Sequence, residues 1–187
     1  AKNEPLLKFS KLSCTIMPKK EMEHPNAFIF GCEPDYNAWT GEVNGKPDPD
    51  HKYKRSCGGH IHVETALNPM EVVKAMDVTI GLYSLLVDVN GGARRTQYGK
   101  AGACRPKPYG VEYRVPSNFW IFNPERTGMI WDRTVRALAL VEQGVDFSYL
   151  GDSIQQAINN DDKPTAQRIL NSFNLGNTLS STFWMDN

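Results

Sequence analysis

The sequence predicts an α+β domain in which an antiparallel sheet carries helices on one face. Three observations lead there. Short segments alternate polar and apolar residues, as half-buried strands do. Later stretches repeat apolar residues at helical spacing. Long polar loops separate the two kinds of segment. With 187 residues, 40% of them apolar, and 15 glycines, the chain is sized for roughly one domain with a full core.

The elements follow in chain order. Residues 1–26 form a mixed, proline-bearing lead-in that begins Ala-Lys-Asn without an initiator Met, and Lys8 to Met17 reads as an edge strand or a short helix. The apolar run Asn26-Ala-Phe-Ile-Phe-Gly-Cys32 reads as a buried strand. Glu33 to Arg55 is polar, with Gly41, Asn44-Gly45, Pro47 and Pro49, and reads as a long loop. Gly59-His-Ile-His-Val-Glu64 alternates and reads as a strand. Asn68 then offers an N-cap, Pro69 suits the first helical position and Glu71 completes a capping-box pattern. Val72, Val73, Met76, Ile80, Tyr83 and Leu86 carry that helix to about Asp88, and Asn90-Gly91-Gly92 breaks it. Gly110 to Pro116 alternates again. A second long helix is expected over about Glu125 to Gln143, with Trp131, Val135, Leu138 and Val141 as its buried stripe and Gly144 as its stop. Two shorter helical patterns follow Asp152 and Pro164. The organisation read from this is a lead-in over 1–26, a core over 27–145 and a C-terminal helical extension over 146–187.

Charge and cysteine usage narrow the function classes. Lys+Arg 21 balances Asp+Glu 21, which argues against a protein that coats nucleic acid or an anionic membrane, though not against a local basic pocket. No apolar run approaches the length of a membrane span, and no signal peptide is visible. Cys14, Cys32, Cys57 and Cys104 form no Cys-x-x-Cys pair, so a zinc knuckle or redox motif is not expected and reduced thiols are. There is no Gly-x-x-x-x-Gly-Lys-Ser/Thr loop for nucleotide phosphates.

Three constellations can carry chemistry. His60 and His62 lie two positions apart on an expected strand, so both rings share a face with Cα atoms roughly 6.6 Å apart. Such a pair suits a metal or a polyanion, and it also occurs in zinc hydrolases and in plain solvent-facing strands. Cys57-Gly58-Gly59 just upstream allows close approach of a backbone or ligand. Glu112 and Arg114 share a second strand face, as a site pair or as a structural ion pair. Arg105, on a glycine-containing loop, and Arg94 and Arg95, in the Gly91-Gly92 turn, add cations whose fork geometry suits phosphate oxygens. Glu33 and Asp35 end the first apolar run, either completing a metal site or marking the exit of the chain from the core.

Four stretches together resemble the bacteriophage carboxylate–amine ligase family, type 2, whose members are placed among the amidoligases with a glutamine synthetase-like catalytic fold. They are Gly-Cys-Glu-Pro-Asp-Tyr-Asn-Ala-Trp39, Arg55-Ser-Cys-Gly-Gly-His-Ile-His-Val63, Tyr98-Gly-Lys-Ala-Gly-Ala-Cys-Arg105 and Lys107-Pro-Tyr-Gly-Val-Glu-Tyr-Arg-Val-Pro-Ser-Asn-Phe-Trp120. The resemblance covers about residues 27 to 145. It implies phosphoryl transfer from ATP to a carboxylate, followed by attack of an amine on the acyl phosphate. His60 and Glu112, with Glu33 and Asp35, are then expected to ligate Mg2+ or Mn2+, and His62, Arg95 and Arg105 to meet ATP phosphate. Arg114, with Arg105, is expected to steady the reacting carboxyl or phosphoryl group. The implied partners are small-molecule or peptide carboxylates and amines, and the implied location is the cytoplasm of an infected bacterial host.

The family's opening acidic strands have no counterpart here. Residues 1–26 hold Glu4, Glu21 and Glu23 but no Gly-x-Asp/Glu-x-Glu motif. The expectation is a domain lacking its N-terminal strands, with the missing carboxylates supplied by a preceding segment, a second copy or a partner chain. Two other readings compete with the ligase. One is a non-catalytic phage structural or assembly protein on the same fold, which would be a virion component. The other is a zinc hydrolase built on His60 and His62.

Overall fold

A computed structural model describes residues 11–29, 33–45 and 52–176. Among the described residues six strands are formed: β1 (Cys14–Ile16), β2 (Tyr36–Asn37), β3 (Lys54–Ser56), β4 (Ile61–Glu64), β5 (Ala103–Lys107) and β6 (Gly110–Tyr113). The helices are α1 (Pro69–Met76), α2 (Leu82–Val87), α3 (Gly91–Arg95), α4 (Pro124–Glu142), α5 (Gly151–Asn160) and α6 (Lys163–Ser172). All strand pairing is antiparallel. The main sheet runs β2-β5-β6-β4, and β1 and β3 form a separate ribbon. The architecture is thus the expected α+β.

The β5–β6 hairpin closes through Pro108 and Tyr109, with Lys107 opposite Gly110. Gly110 has φ +144, and a Cβ there would stand 2.2 Å from the Val63 carbonyl oxygen of β4. No other residue fits that close a strand approach. Along the three paired strands the alternation is strict. Val63, Cys104, Val111 and Tyr113 face the core and are buried, while their neighbours His62, Arg105, Glu112 and Arg114 take the opposite face.

Against the core face lies a single long helical segment, in which α1 and α2 are joined by a π-helical turn over Asp77–Gly81. Asn68 caps it as expected, its side chain accepting from the Met70 N–H at 2.9 Å, with Pro69 in the first turn. Glu71 does not close a capping box; its carboxylate pairs with Lys74 at 2.9 Å. The segment is buried nearly all round, from Val72 to Leu85, because the sheet covers one side and α4, α5 and α6 cover the others. The helices after residue 146 are integral to this arrangement: Phe147, Ile154, Ile158 and Leu170 belong to the same core cluster as Val111 and Tyr113.

The π turn places Asp77 at the meeting point of four elements. The carboxylate is fully buried and accepts from Trp39 Nε1 at 2.7 Å, from the Gly102 N–H at 2.6 Å and from the Tyr113 hydroxyl at 2.8 Å. Each donor satisfies a lone pair, as a buried carboxylate requires. Burial still dominates and pushes the carboxyl up to about 7, against the pull of the three hydrogen bonds.

Several sequence expectations are corrected. The run from Asn26 is not a buried strand in its described part. Pro25–Phe28 is a 3-10 turn closed by His24, whose ring accepts from the Asn26 N–H at 3.2 Å, and Ile29 is exposed. Residues 30–32 lie outside the described residues. The loop over Glu33 to Arg55 contains β2 and runs into β3, both stabilised by pairing with distant strands rather than by local pattern. On α4 the buried stripe is Ile130, Arg133, Ala137 and Leu140, whereas Trp131 and Val135 are exposed. Both stripes have helical spacing, and one turned by a single residue differs by about 100°. Arg133 hid the true one. It is buried against the Tyr83 ring, 3.6 Å from the centroid, and donates to the Thr79 and Leu175 carbonyls at 2.8 and 3.0 Å.

Two outcomes are expected for Asp77. D77A leaves three donors without an acceptor and should cost about 2–4 kcal/mol in urea unfolding. The unfolded carboxyl titrates near 3.8, and the folded one at about 7. Between those values the folded state keeps a proton that the unfolded chain has released, so this group's contribution to stability falls as pH rises and levels off above pH 7. The difference in stability between the wild type and D77N should therefore slope across that window. A flat difference would show an Asp77 that is ionised throughout.

Candidate functional site

The polar face of the sheet gathers its charges around one carboxylate. Glu112, at the centre of β6, lies opposite His62 of β4 on one side and Arg105 of β5 on the other. Residues two positions away share the face, which adds His60, Lys107 and Arg114. The glutamate is only 5% exposed. Its Oε1 receives Arg114 Nη1 in a close ion pair and stands 3.0 Å from His60 Nδ1. Its Oε2 faces Lys107 at 3.5 Å and Arg105 at 3.7 Å. Burial pushes the Glu112 carboxyl up, but the Arg114 hydrogen bond and the charges of Arg114, Arg105 and His60 outweigh it and hold the group below its ordinary value.

Arg114 joins a second carboxylate to the cluster. Its Nε donates to Asp35 Oδ2 at 3.1 Å, and Asn44 holds the other Asp35 oxygen at 3.0 Å. Arg105 is steadied by the same loop, donating to the Pro34 carbonyl at 3.3 Å and to the Glu33 carbonyl. His60 stands between these groups, with Nδ1 3.2 Å from Arg114 Nη1. Burial, then the charges of Arg114 and Arg94, lower its pKa to about 4, so the ring is neutral near pH 7.

The glycines before His60 are needed for this packing. A Cβ at Gly59 would stand 2.4 Å from the Ser117 carbonyl oxygen, and one at Gly58 2.3 Å from the His60 ring. Gly58 bridges Ser117, and the Gly59 carbonyl accepts from Trp120 Nε1 at 3.3 Å. The turn into β4 is therefore clamped to the chain leaving β6.

The structure thus brings together His60, Arg105, Glu112, Arg114 and Asp35. His62 shares the face but is exposed, with Nδ1 2.6 Å from the Tyr109 hydroxyl. Glu33 is exposed and contributes only its backbone carbonyl among the contacts seen here. Arg95 does not reach the cluster. It is 4% exposed, in α3, and donates to Asp161 and to Ser84 at 3.0 Å each. Arg94 is buried beside it and donates to the Val115 and Arg114 carbonyls at 2.7 and 3.0 Å, supporting the end of β6 from behind. The expected flexible basic turn is a short helix whose arginines are interior anchors. Lys107, which the sequence reading passed over, belongs to the cluster. Its signal was the two-residue spacing from Arg105.

Of the four expected metal ligands, His60 and Glu112 stand 3.0 Å apart, Asp35 reaches the pair only through Arg114, and the Glu33 side chain is exposed. Among the described residues no group of three or more His, Cys, Asp or Glu side chains is arranged to hold a metal ion. Both oxygens of Glu112 already face cations, and Asp35 is engaged by Arg114 and Asn44. Arg105, Lys107 and Arg114 outnumber the two carboxylates while His60 is neutral, so the set fits an anion and does not fit a metal cage.

A family model described as phage phiEco32-like COOH.NH2 ligase-type 2 matches residues 47–143. The match takes in His60, His62, Arg105, Lys107, Glu112 and Arg114. No curated protein and no solved structure matches the chain.

Removing the central charge should be costly. E112Q leaves three cations facing each other and is expected to lose about 3 kcal/mol at pH 7. Because the folded carboxyl is held below its unfolded value near 4.5, its contribution is present above that value and lost as pH falls through the folded one. Urea unfolding of the variant and the wild type should therefore converge in acid. In the same wild-type protein the His60 ring protons should titrate near pH 4 by NMR, and R114M should move that midpoint upward.

Proposed function

Because the chain belongs to the phage phiEco32-like type 2 carboxylate–amine ligases, we propose that it joins a carboxylate to an amine at the expense of ATP, on a glutamine synthetase-like sheet. The observation that carries this reading is the surplus of positive charge around Glu112. Arg105 and Lys107 stand 3.7 and 3.5 Å from Glu112 Oε2, beyond hydrogen-bond distance. Lys107 can turn to an incoming phosphate or carboxylate without breaking a close contact, while Arg105, held by the Pro34 and Glu33 carbonyls, presents a positioned guanidinium. Arg114 is held on both sides, by Glu112 and Asp35, and presents a fixed guanidinium.

In this reading Arg105, Lys107 and His62 take the nucleotide phosphates, and Arg114 orients the substrate carboxylate. A carboxylate oxygen attacks the γ-phosphorus, the bond to the β-phosphate oxygen breaks, and ADP leaves. The amine then attacks the acyl carbon, loses a proton, and expels inorganic phosphate to leave the amide. The cations offset the charge that gathers on the phosphoryl oxygens during transfer. A divalent ion would arrive with the phosphates, and further acidic ligands would come from a preceding segment, a second copy or a partner chain. No helix among the described residues is long and apolar enough to cross a membrane. The reading places the enzyme in the cytoplasm of the infected host.

Hydroxylamine provides the test, since it traps an acyl phosphate as a hydroxamate whatever the natural amine. With a panel of amino-acid and peptide carboxylates, ADP release and hydroxamate should appear together. R114M and the double variant R105Q/K107Q should each lower both by at least about 100-fold. If no carboxylate releases ADP and nucleotide produces no shift in melting temperature, the non-catalytic assembly reading replaces this one.

A further inference from the structure

Tyr109 stands at the tip of the β5–β6 hairpin, outside the set of side chains that gather on Glu112. Its side chain is 42% exposed, yet its backbone is tied down. The carbonyl accepts from the Thr65 N–H at 2.9 Å, just past the end of β4. Gly110 beside it lies so near that turn that a Cβ would stand 3.0 Å from the Thr65 nitrogen. Pro108 on the other side fixes its own φ and narrows the conformations open to the tip. The hairpin end therefore delivers two side chains from set positions, Lys107 toward Glu112 and Tyr109 toward His62.

The Tyr109 hydroxyl lies 2.6 Å from His62 Nδ1, with the rings 6.2 Å apart and tilted by 35°. Neither the hydroxyl nor the imidazole makes another hydrogen bond among the described residues. In an uncharged imidazole one nitrogen carries the hydrogen and the other accepts, and a partner at one nitrogen decides which. A phenol donates more readily than it accepts. Donation to Nδ1 leaves the hydrogen of the ring on Nε2. His62 is exposed and lies directly opposite Glu112, so their Cβ atoms are about 4.5–5.5 Å apart. An anion drawn to the cations around Glu112 thus comes within reach of this ring.

We propose that Tyr109 is a positioning residue, which donates to His62 Nδ1 and so holds the ring with Nε2–H as a ready donor for a phosphate oxygen. An exposed imidazole without the phenol samples several rotamers and both tautomers, and only some of these present an N–H to the polar face. While the bond lasts, the ring offers an anion a hydrogen and a cation no lone pair. The ligation reading enters only in naming the anion as ATP; the tautomer belongs to the free protein.

The test begins with the full chain carrying nitrogen-15 histidine, without nucleotide, at about pH 8.5, above the ordinary imidazole range. H62Q identifies the His62 signals among the four histidines. His62 should show a single tautomer with its hydrogen on Nε2. Y109F removes only the hydroxyl, and there the two nitrogen shifts should move toward each other. Calorimetric titration with sodium tripolyphosphate should give saturable binding that Y109F weakens about fivefold. Y109F/H62Q should bind no more weakly than H62Q alone, because Tyr109 acts through His62. In the hydroxylamine assay Y109F should raise the KM for ATP by a similar factor and leave that for the carboxylate unchanged. If no carboxylate releases ADP while the spectra and the tripolyphosphate cycle hold, the ligation reading falls and the positioning role stands. A hydrogen on Nδ1, a spectrum that Y109F leaves unchanged, no saturable tripolyphosphate binding, or additive losses in the double variant would overturn it.

Discussion

Most of the arrangement rests on Asp77, a carboxylate held not by a cation among the described residues but by an indole, a phenol and a backbone amide. The three donors come from separate parts of the chain: the turn after β2, the turn before β5 and the last residue of β6. One acceptor therefore fixes where three segments of the sheet meet the central helix. The π-helical turn is what makes room for it, since an extra residue in the turn widens the helix locally. Gly81, one turn on, supports this reading: a Cβ there would stand 2.9 Å from the Tyr113 hydroxyl and 3.2 Å from Asp77 itself. The helix, the sheet and the carboxylate leave no slack between them.

From that anchor the polar face follows by strand geometry. Tyr113 is pinned inward by Asp77, so its neighbours Glu112 and Arg114 must point outward. Pairing then sets Arg105 and His62 in line with Glu112, and Gly110 lets the hairpin press close enough to β4 to keep the register. A packing constraint on one side thus specifies the charge constellation on the other. Burial of Glu112 and Arg114 strengthens their pairing, because a shielded ion pair of good geometry interacts more strongly than one in water.

This also explains which parts of the molecule were legible in the sequence. His60-x-His62 and Glu112-x-Arg114 could be read as same-face pairs, because period-two alternation is a local property of a strand. Asn68 and Pro69 announced the central helix for the same local reason. What could not be read was the fate of individual arginines. Arg94, Arg95 and Arg133 sit in the interior, each donating to carbonyls or to a distant acid that no nearby residue signals. Charge marked them as surface or site residues, yet a guanidinium with several donors can be buried wherever acceptors happen to converge. The same blindness turned the α4 stripe by one residue, since Arg133 occupies the centre of the buried face. Strands as short as β2 and β3 were lost for a related cause: their stability comes from partners far along the chain.

The electrostatics of the cluster separate its fixed members from its exchangeable ones. Glu112 makes a close pair with Arg114, which also answers to Asp35, so displacing that guanidinium would strand two carboxylates at once. Arg105 and Lys107 face Glu112 at longer range, and Lys107 makes no hydrogen bond of its own among the described residues. An anion arriving on this face therefore competes with Glu112 only where the competition is cheap, at the β5 side chains. A bare cation meets the reverse situation. It would have to take Glu112 from Arg114 in a field that is already positive, at a cost that accompanying phosphates would offset by adding negative charge of their own. The arrangement consequently favours an order of events in which anionic groups come first, or come together with any metal, and the protein's own residues supply positive charge rather than a preformed cation cage.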